Sequence, residues 1–159
     1  MEQKLLDQLK TEIETLISDL GIQAKVEISV TSDNQESEIV GVQIESEQAA
    51  YLIGFHGETL QSLQLVISFL VHRTLGQWFR VLVNVGDYRQ KREDQLAKLA
   101  LNLAMKAKFS GEQQIIPNLT ASERRIVHLA LADRTDVYTE SEGEGSQRQL
   151  TIKPRTPSS

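Results

Sequence analysis

Two glycines that enclose two bulky residues, Gly54 and Gly57, are the first feature of this sequence whose spacing suggests chemistry; they lie in "YLIGFHGETL", residues 51–60. Glycine allows a tight turn and a close approach of the backbone to a ligand, and a helix-like run follows Gly57. The N–H groups of such a turn and of the helix end behind it can bind a phosphate. The same spacing also occurs by chance in a plain turn between helices, so the motif alone leaves both interpretations open.

A second candidate site consists of Arg124 and His128, four residues apart in "ERRIVHLAL". Residues at i and i+4 share one face of a helix. Arginine donates a planar fork of N–H groups, and histidine offers a ring nitrogen or a stacking surface, so the pair can bind phosphate. Arg125 and Arg148 could extend this basic patch. The alternative is a solvated helical face with no ligand.

A third basic feature is residues 88–109, where Arg89, Lys91 and Arg92 precede the first acidic residue. The local charge of this predicted helix is +4. It is either a solvated face or part of a nucleic-acid surface. In the second interpretation Arg89 and Arg92 contact phosphates, and their contribution is non-specific and salt-dependent.

The overall charge gives a mixed signal about nucleic acid. The net charge is -5, whereas most nucleic-acid-binding domains are basic. Residues 1–50 hold 3 Lys and Arg against 11 Asp and Glu, and residues 51–159 hold 14 against 11. Because attraction to phosphates depends on the local patch, a basic surface is expected in the second two-thirds of the chain.

Several classes of protein are disfavoured by composition. The chain has no cysteine, which excludes disulfides and thiolate chemistry, and its three histidines have no acidic partners at metal-ligand spacing. Neither a P-loop nor a Gly-x-Ser-x-Gly elbow is present. We therefore expect no enzyme activity, no cofactor and no metal. No apolar run is long enough to span a membrane and the first residues do not resemble a signal peptide, so we expect a cytoplasmic protein without membrane insertion.

The hydrophobic periodicity predicts an α+β protein of two small domains, residues 1–86 and 87–155, with a frayed tail at 156–159. Thr120 and Glu123 form a Thr-x-x-Glu capping box, which starts a helix that runs to about Ala132. The predicted helices are 2–20, 47–53, 58–75, 88–109 and 121–132. The predicted strands are 24–33, 37–46, 77–86, 136–141 and 148–154, with a short strand or extended loop at 110–119.

The order α-β-β-α-[Gly-x-x-Gly]-α-β is that of the type II KH fold. Together with "YLIGFHGETLQSLQLVISFL" and "FRVLVNVGDYR", it resembles the KH domain of the Jag family, also called SpoIIIJ-associated proteins. That family joins a KH domain to an R-3-H domain, named for an Arg and a His separated by three residues. Arg124 and His128 in "NLTASERRIVHLAL", followed by "VYTESEGEG" and "RQLTIKP", match this second domain. The resemblance covers about residues 20–155.

The resemblance implies a type II KH domain (α-β-β-α-α-β) followed by a small R-3-H domain (α-β-α-β-β). It also implies binding of single-stranded nucleic acid, RNA in preference to DNA, by a bacterial regulator of RNA fate linked to cell elongation or division. The loop Gly54–Gly57 would hold the backbone of about four nucleotides. Arg124 and His128 would hold a second stretch of the strand. Many members carry a further N-terminal domain, and this chain is expected to be a short form without it.

The residues inside the loop depart from the family pattern. KH loops commonly carry Lys or Arg between the glycines, whereas this loop has Phe55 and His56. Phe55 can stack on a base or sugar but cannot neutralise a phosphate, and His56 is only partly charged near neutral pH. The alternative function is therefore a protein-interaction adaptor with a degenerate KH loop. Its partner would be a protein of the cell-elongation machinery or another KH protein.

Overall fold

The computed structural model describes residues 2–33 and 37–156 and divides into two compact units, residues 1–89 and residues 90–159. We call them the first unit and the second unit. Each unit has its own cluster of buried hydrophobic side chains. Most of the predicted tail, residues 157–159, lies outside the described residues, as do residues 34–36.

The first unit has the element order that the sequence predicts. A short 3-10 turn at Phe55–Gly57 separates its second and third helices, and Gly76 ends the third helix in the left-handed conformation. The elements are α1 (Gln3–Asp19), β1 (Lys25–Ser32), β2 (Glu38–Glu45), α2 (Ala49–Ile53), α3 (Glu58–Leu75) and β3 (Arg80–Val85).

The three strands form one sheet in the order β1-β2-β3, antiparallel between β1 and β2 and parallel between β2 and β3. The parallel pair needs a crossover, which α2 and α3 provide. Val42 lies opposite Ile28 on one side and Val83 on the other, so the alternating apolar residues of all three strands share a face. Fully buried side chains of α1 and α3 pack on that face, among them Leu9, Ile13, Ile17, Ile67 and Val71.

Side chains of α1 and α3 also bond to the two outer strands of this sheet. Glu14 of α1 accepts a hydrogen bond from the Val26 N–H of β1 at 3.2 Å. Gln64 of α3 accepts one from the Val83 N–H of β3 at 3.0 Å. A helix side chain thus occupies one backbone donor on each edge strand.

The second unit packs two helices on a three-stranded antiparallel sheet of order β4-β6-β5. Leu150 and Ile152 of the central strand are fully buried and share a hydrophobic cluster with Leu96, Ala100, Ala104 and Ala107 of the first helix. This helix, α4 (Tyr88–Ser110), starts within the first unit. The other elements are β4 (Gln114–Ile116), α5 (Ala121–Leu131), β5 (Val137–Glu142), a 3-10 turn at Gly145–Gln147, and β6 (Gln149–Pro154).

The predicted α+β fold class is confirmed, with α-β-β-α-α-β followed by α-β-α-β-β. The helix predicted at 88–109 extends one residue further, to Ser110, and the segment predicted as a short strand or loop contains the three-residue strand β4.

Candidate nucleic-acid interface

The loop between α2 and α3 has a glycine with a positive φ at each of its ends. Gly54 has φ 70° and ψ -171°, and Gly57 has φ 82° and ψ 14°. A Cβ atom on Gly54 would lie 2.1 Å from Thr59 Oγ1, and one on Gly57 would lie 2.7 Å from Tyr88 Oη. The dihedral angles and the close contact with Thr59 thus require glycine at Gly54, and the positive φ and the contact with Tyr88 disfavour a side chain at Gly57.

The two side chains between the glycines form a stacked pair of rings. The centroids of Phe55 and His56 lie 4.0 Å apart with an interplanar angle of 20°. Phe55 is 72% exposed, and His56 is exposed with a left-handed φ of 50°. An exposed aromatic pair of this kind offers a surface on which a nucleic-acid base can stack.

The polar groups around this loop are less favourable to phosphate than the sequence predicts. The N–H groups of Gly54, Gly57 and Glu58 bond to the carbonyls of Ala50, Gly54 and Phe55 within the loop region. The exposed carboxylate of Glu58 stands in the first turn of α3, where a phosphate would approach the helix end. Three of the N–H groups at this loop are thus already bonded within the chain, and a carboxylate lies at the adjacent helix end.

Arg89 and Arg92, the two arginines expected from α4, have different surroundings. Arg89 is exposed, its N–H donates to Asn84 Oδ1 at 3.3 Å and its guanidinium lies 3.5 Å from Gln64 Oε1. Arg92 donates through Nε to Glu123 Oε1 at 2.8 Å, and both side chains of this ion pair are largely buried, 15% and 12% exposed. The charge of Arg92 is thus neutralised within the second unit, where it holds α4 to α5.

Arg124 stands in the first turns of α5, beside the predicted capping box. Thr120 Oγ1 accepts from the Glu123 N–H at 3.2 Å, and Glu123 Oε2 accepts from the Thr120 N–H at 2.9 Å. This reciprocal pair occupies the helix end that an anion would otherwise use. Arg124 Nη1 donates to the Leu119 carbonyl at 2.7 Å, so part of its guanidinium holds the preceding loop.

His128 contacts two hydroxyl groups of β5 across the helix–sheet packing. Its Nδ1 lies 2.5 Å from Thr139 Oγ1 and its Nε2 lies 3.1 Å from Ser141 Oγ. Partial burial, and secondarily the charge of Arg124, lower the pKa of His128 below its ordinary value. The imidazole is therefore neutral near pH 7, and it positions β5 against α5 rather than adding a second cation to Arg124.

Sequence reasoning missed the two hydroxyl partners of His128. Thr139 and Ser141 are two residues apart on a strand and so share one face, which was the available signal.

Arg125 and Arg148 are both exposed. Arg148 directly precedes β6, at the end of the hairpin where Ser141 pairs with Leu150, so it belongs to the same end of the unit that His128 contacts.

The lowered pKa of His128 predicts a pH-dependent stability of the second unit. The unfolded chain takes up the proton near pH 6.5, whereas the folded chain does so only at lower pH. The free energy of unfolding is therefore expected to fall as the pH drops from about 6.5 to the folded pKa, and this contribution is fully present above about pH 7. Denaturant unfolding followed by circular dichroism across this range measures it. His128→Gln, which cannot titrate, should lose this part of the pH dependence; an identical dependence in the variant contradicts the prediction.

Two further findings concern other chemistries. Within residues 2–33 and 37–156, no group of three or more His, Asp or Glu side chains is arranged to hold a metal ion. None of the helices described there is both long and apolar enough to cross a bilayer.

Comparison with known proteins identifies both units. Residues 10–85 match the family model described as KhpA/KhpB, KH domain, and residues 94–154 match that of the R-3-H domain. The chain is 35% identical to RNA-binding protein KhpB of Clostridium symbiosum over 80% of this chain and 57% of that protein. It is 33% identical to RNA-binding protein KhpB of Bacillus subtilis over 92% of this chain and 69% of that protein. It is 26% identical to RNA-binding protein KhpB of Streptococcus pneumoniae serotype 2 over 92% of this chain and 44% of that protein. The chain thus spans about half the length of most curated relatives it matches.

Proposed function

This chain belongs to the KhpB (Jag) family, which joins a KH domain to an R-3-H domain, and from that premise we propose that it binds single-stranded RNA in preference to DNA. The observation that carries the proposal is the exposed Phe55–His56 ring pair held between Gly54 and Gly57. An exposed aromatic pair in a KH loop is suited to stacking on bases, which is tolerant of sequence.

In the first unit, we infer that stacking supplies more of the binding energy than charge does. Glu58 opposes a phosphate at the start of α3, and Phe55 carries no charge. Binding at this loop is therefore expected to depend weakly on salt, unlike binding that rests on Lys and Arg. The positive end of α3 still contributes a favourable field near the loop.

In the second unit, the proposed contacts to phosphate come from Arg124, Arg125 and Arg148. Arg125 and Arg148 are exposed. An arginine has five N–H donors, and the described residues show one of those of Arg124 bonded, to the Leu119 carbonyl. His128 acts indirectly here, since it fixes β5 through Thr139 and Ser141. Arg92 is omitted from this surface because Glu123 neutralises it, whereas Arg89, exposed in the first unit, is kept as a further phosphate contact.

At the level of the cell, the family resemblance supports a cytoplasmic, post-transcriptional role in a bacterium, linked to cell elongation or division. This step rests on analogy with related proteins rather than on the geometry of the site.

A titration with labelled single-stranded RNA of about 10 nucleotides, at low and moderate salt, tests the proposed function. Phe55→Ala/His56→Ala, which removes both rings and adds no charge, is expected to weaken binding roughly tenfold with little change in its salt dependence. Arg125→Gln/Arg148→Gln is expected to weaken it to a similar extent and to reduce the slope of log K against log salt by about 1.4, since two phosphate contacts are lost. Matched deoxy strands show whether the 2′-OH is recognised.

The control for lost charge is Lys98→Gln/Lys106→Gln, which removes two exposed cations from α4. It should change the affinity much less than the arginine variant. If the folded wild type binds no RNA, or if both test variants bind as tightly as the wild type, the proposal is wrong.

The second candidate function, a protein-interaction adaptor, is favoured by an exposed apolar patch on the first unit. Leu65, Val66 and Phe69 of α3 are 60%, 44% and 55% exposed, and Trp78 is 62% exposed. Trp78 stacks on His72 at 4.0 Å and meets Phe69 edge to face at 5.8 Å.

A groove of about 480 Å³ adjoins this patch; Leu16, Val66 and Leu70 are among its lining residues. Large exposed apolar patches often mark protein interaction sites. A folded wild type that fails to bind RNA in the titration above would favour this function, with another KH protein or a protein of the cell-elongation machinery as the partner.

A further inference from the structure

Two cationic side chains of the second unit meet the carboxylate of Asp136, in the loop before β5, and a third cation, Arg155, bonds to the backbone of the same loop. Arg134 forms two hydrogen bonds with the Asp136 carboxylate, at 2.9 and 2.5 Å. Lys108, from the last turn of α4, lies 3.6 Å from the same carboxylate. Arg155, just after β6, donates its backbone N–H to the Asp136 carbonyl at 2.8 Å and its Nε to the Val137 carbonyl at 3.3 Å. The ends of four segments thus meet here.

Two exposed aromatic rings lie beside these cations. Phe109 is 76% exposed, and the Lys108 ammonium lies 5.8 Å from its ring centroid. Tyr138 is 37% exposed, and the Arg155 guanidinium carbon lies 5.8 Å from its ring centroid. A phenylalanine that exposes three-quarters of its surface contributes little to the core and leaves its ring accessible to a ligand.

The charge of the cluster is positive even with its central acid. The three cations Lys108, Arg134 and Arg155 outnumber the single carboxylate of Asp136, which pairs with the first two. Arg134 above all lowers the pKa of that carboxyl to about 2, so it stays ionised. Asp133 is a further exposed acid in the same loop. The acids of β5 are engaged elsewhere, because Lys153 lies 2.6 Å from Glu140 and 2.7 Å from Glu142.

We propose that Lys108, Phe109, Arg134, Tyr138 and Arg155 form an additional binding site for single-stranded nucleic acid, in which bases stack on the two rings and phosphates contact the three cations. Aromatic rings interleaved with cations are the arrangement that binds single strands with little dependence on sequence. The site extends the proposed RNA-binding function and rests on it. It lies at the opposite end of α5 from Arg124, roughly 10 Å along the helix, and would lengthen the strand that the second unit holds.

A pair of neighbouring double variants on α4 tests this site in the full chain. Lys108→Gln/Phe109→Ala removes one cation and one exposed ring of the cluster. Met105→Ala/Lys106→Gln is the matched control, since it removes one exposed cation and one exposed apolar side chain from the same helix, outside the cluster. Circular dichroism verifies that both fold. Affinity is measured for oligouridine of about 15 nucleotides, the upper range of a single-strand site.

The cluster variant is expected to bind roughly tenfold more weakly than the wild type, with the salt slope reduced by about 0.7. The control should stay within about threefold of the wild type. Arg155→Gln, which leaves the Arg134–Asp136 pair intact, should lower the salt slope in the same way. Equal losses of affinity in the cluster and control variants, or no loss in the cluster variant, would overturn the additional site. The proposed function would still stand in that case if Arg125→Gln/Arg148→Gln weakens binding. A wild type that binds no RNA would overturn both.

Discussion

Replacing Gly54 with alanine is expected to destabilise the first unit by about 2 to 6 kcal/mol and to abolish RNA binding at its loop. The φ of 70° and ψ of -171° lie in a region that is essentially restricted to glycine. The new Cβ would also lie 2.1 Å from Thr59 Oγ1 and 3.1 Å from the Thr59 backbone nitrogen. Because a backbone atom of α3 is among the obstacles, rotation of one side chain cannot relieve the clash. The loop must move, and with it the Phe55–His56 ring pair.

The measurement is denaturant unfolding followed by the fluorescence of Trp78, the one tryptophan of the chain, which reports on the first unit. Gly76→Ala is the matched control. Gly76 also has a positive φ, 76°, but nothing lies within 4 Å of a Cβ built there, so only the dihedral cost of about 1 to 2 kcal/mol applies. Equal destabilisation by the two substitutions would show that the contact with Thr59 is not a constraint on the loop.

Replacing Leu150 with alanine is expected to destabilise the second unit by about 2 to 5 kcal/mol. Leu150 is fully buried in β6, the central strand that bonds to both β4 and β5. Its pairing partners are Ile116 and Ser141, so a cavity there loosens both neighbours of the strand. Since Arg148 precedes β6 and His128 contacts Ser141, the proposed phosphate contacts should weaken as well.

Hydrogen exchange read separately for residues 90–156 measures this effect, with RNA affinity as the second readout. Leu129→Ala is the control, because Leu129 belongs to the same unit but is 64% exposed. It should change the free energy of unfolding by less than about 0.5 kcal/mol. Unchanged exchange protection around β6 in Leu150→Ala would contradict the central role given to this strand.

Much of the fold could be predicted because local patterns and tertiary packing agree. Val40, Val42 and Ile44 alternate with more exposed residues along β2, and the structure buries these three. Thr120 and Glu123 form the capping box that their spacing predicts, and α5 begins at the next residue, Ala121. Where one face of an element is apolar and its ends carry their own stop signals, the sequence contains the information that defines it.

The site was less predictable, because its chemistry depends on partners distant in sequence. Arg92 looks like a free cation until Glu123, 31 residues away, is seen to bind it. The spacing of His128 from Arg124 predicts a phosphate ligand, whereas the structure shows both of its ring nitrogens in contact with the hydroxyl groups of Thr139 and Ser141. The cluster around Asp136 combines segments that no single motif contains. Periodicity reveals which face a residue occupies, but not which side chain of another element meets it there.

The hydrogen bonds that the Val26 and Val83 N–H groups donate to Glu14 and Gln64 affect how readily copies of the protein can associate through their sheets. An edge strand with open N–H groups is a template on which another chain can add a strand, the first step towards fibrils. In the first unit, each edge already has one donor occupied by a helix side chain of the same molecule. An incoming strand would have to displace that carboxylate or amide before it could pair in register. The helices thus protect the valine-rich sheet against intermolecular β-assembly as well as covering its core.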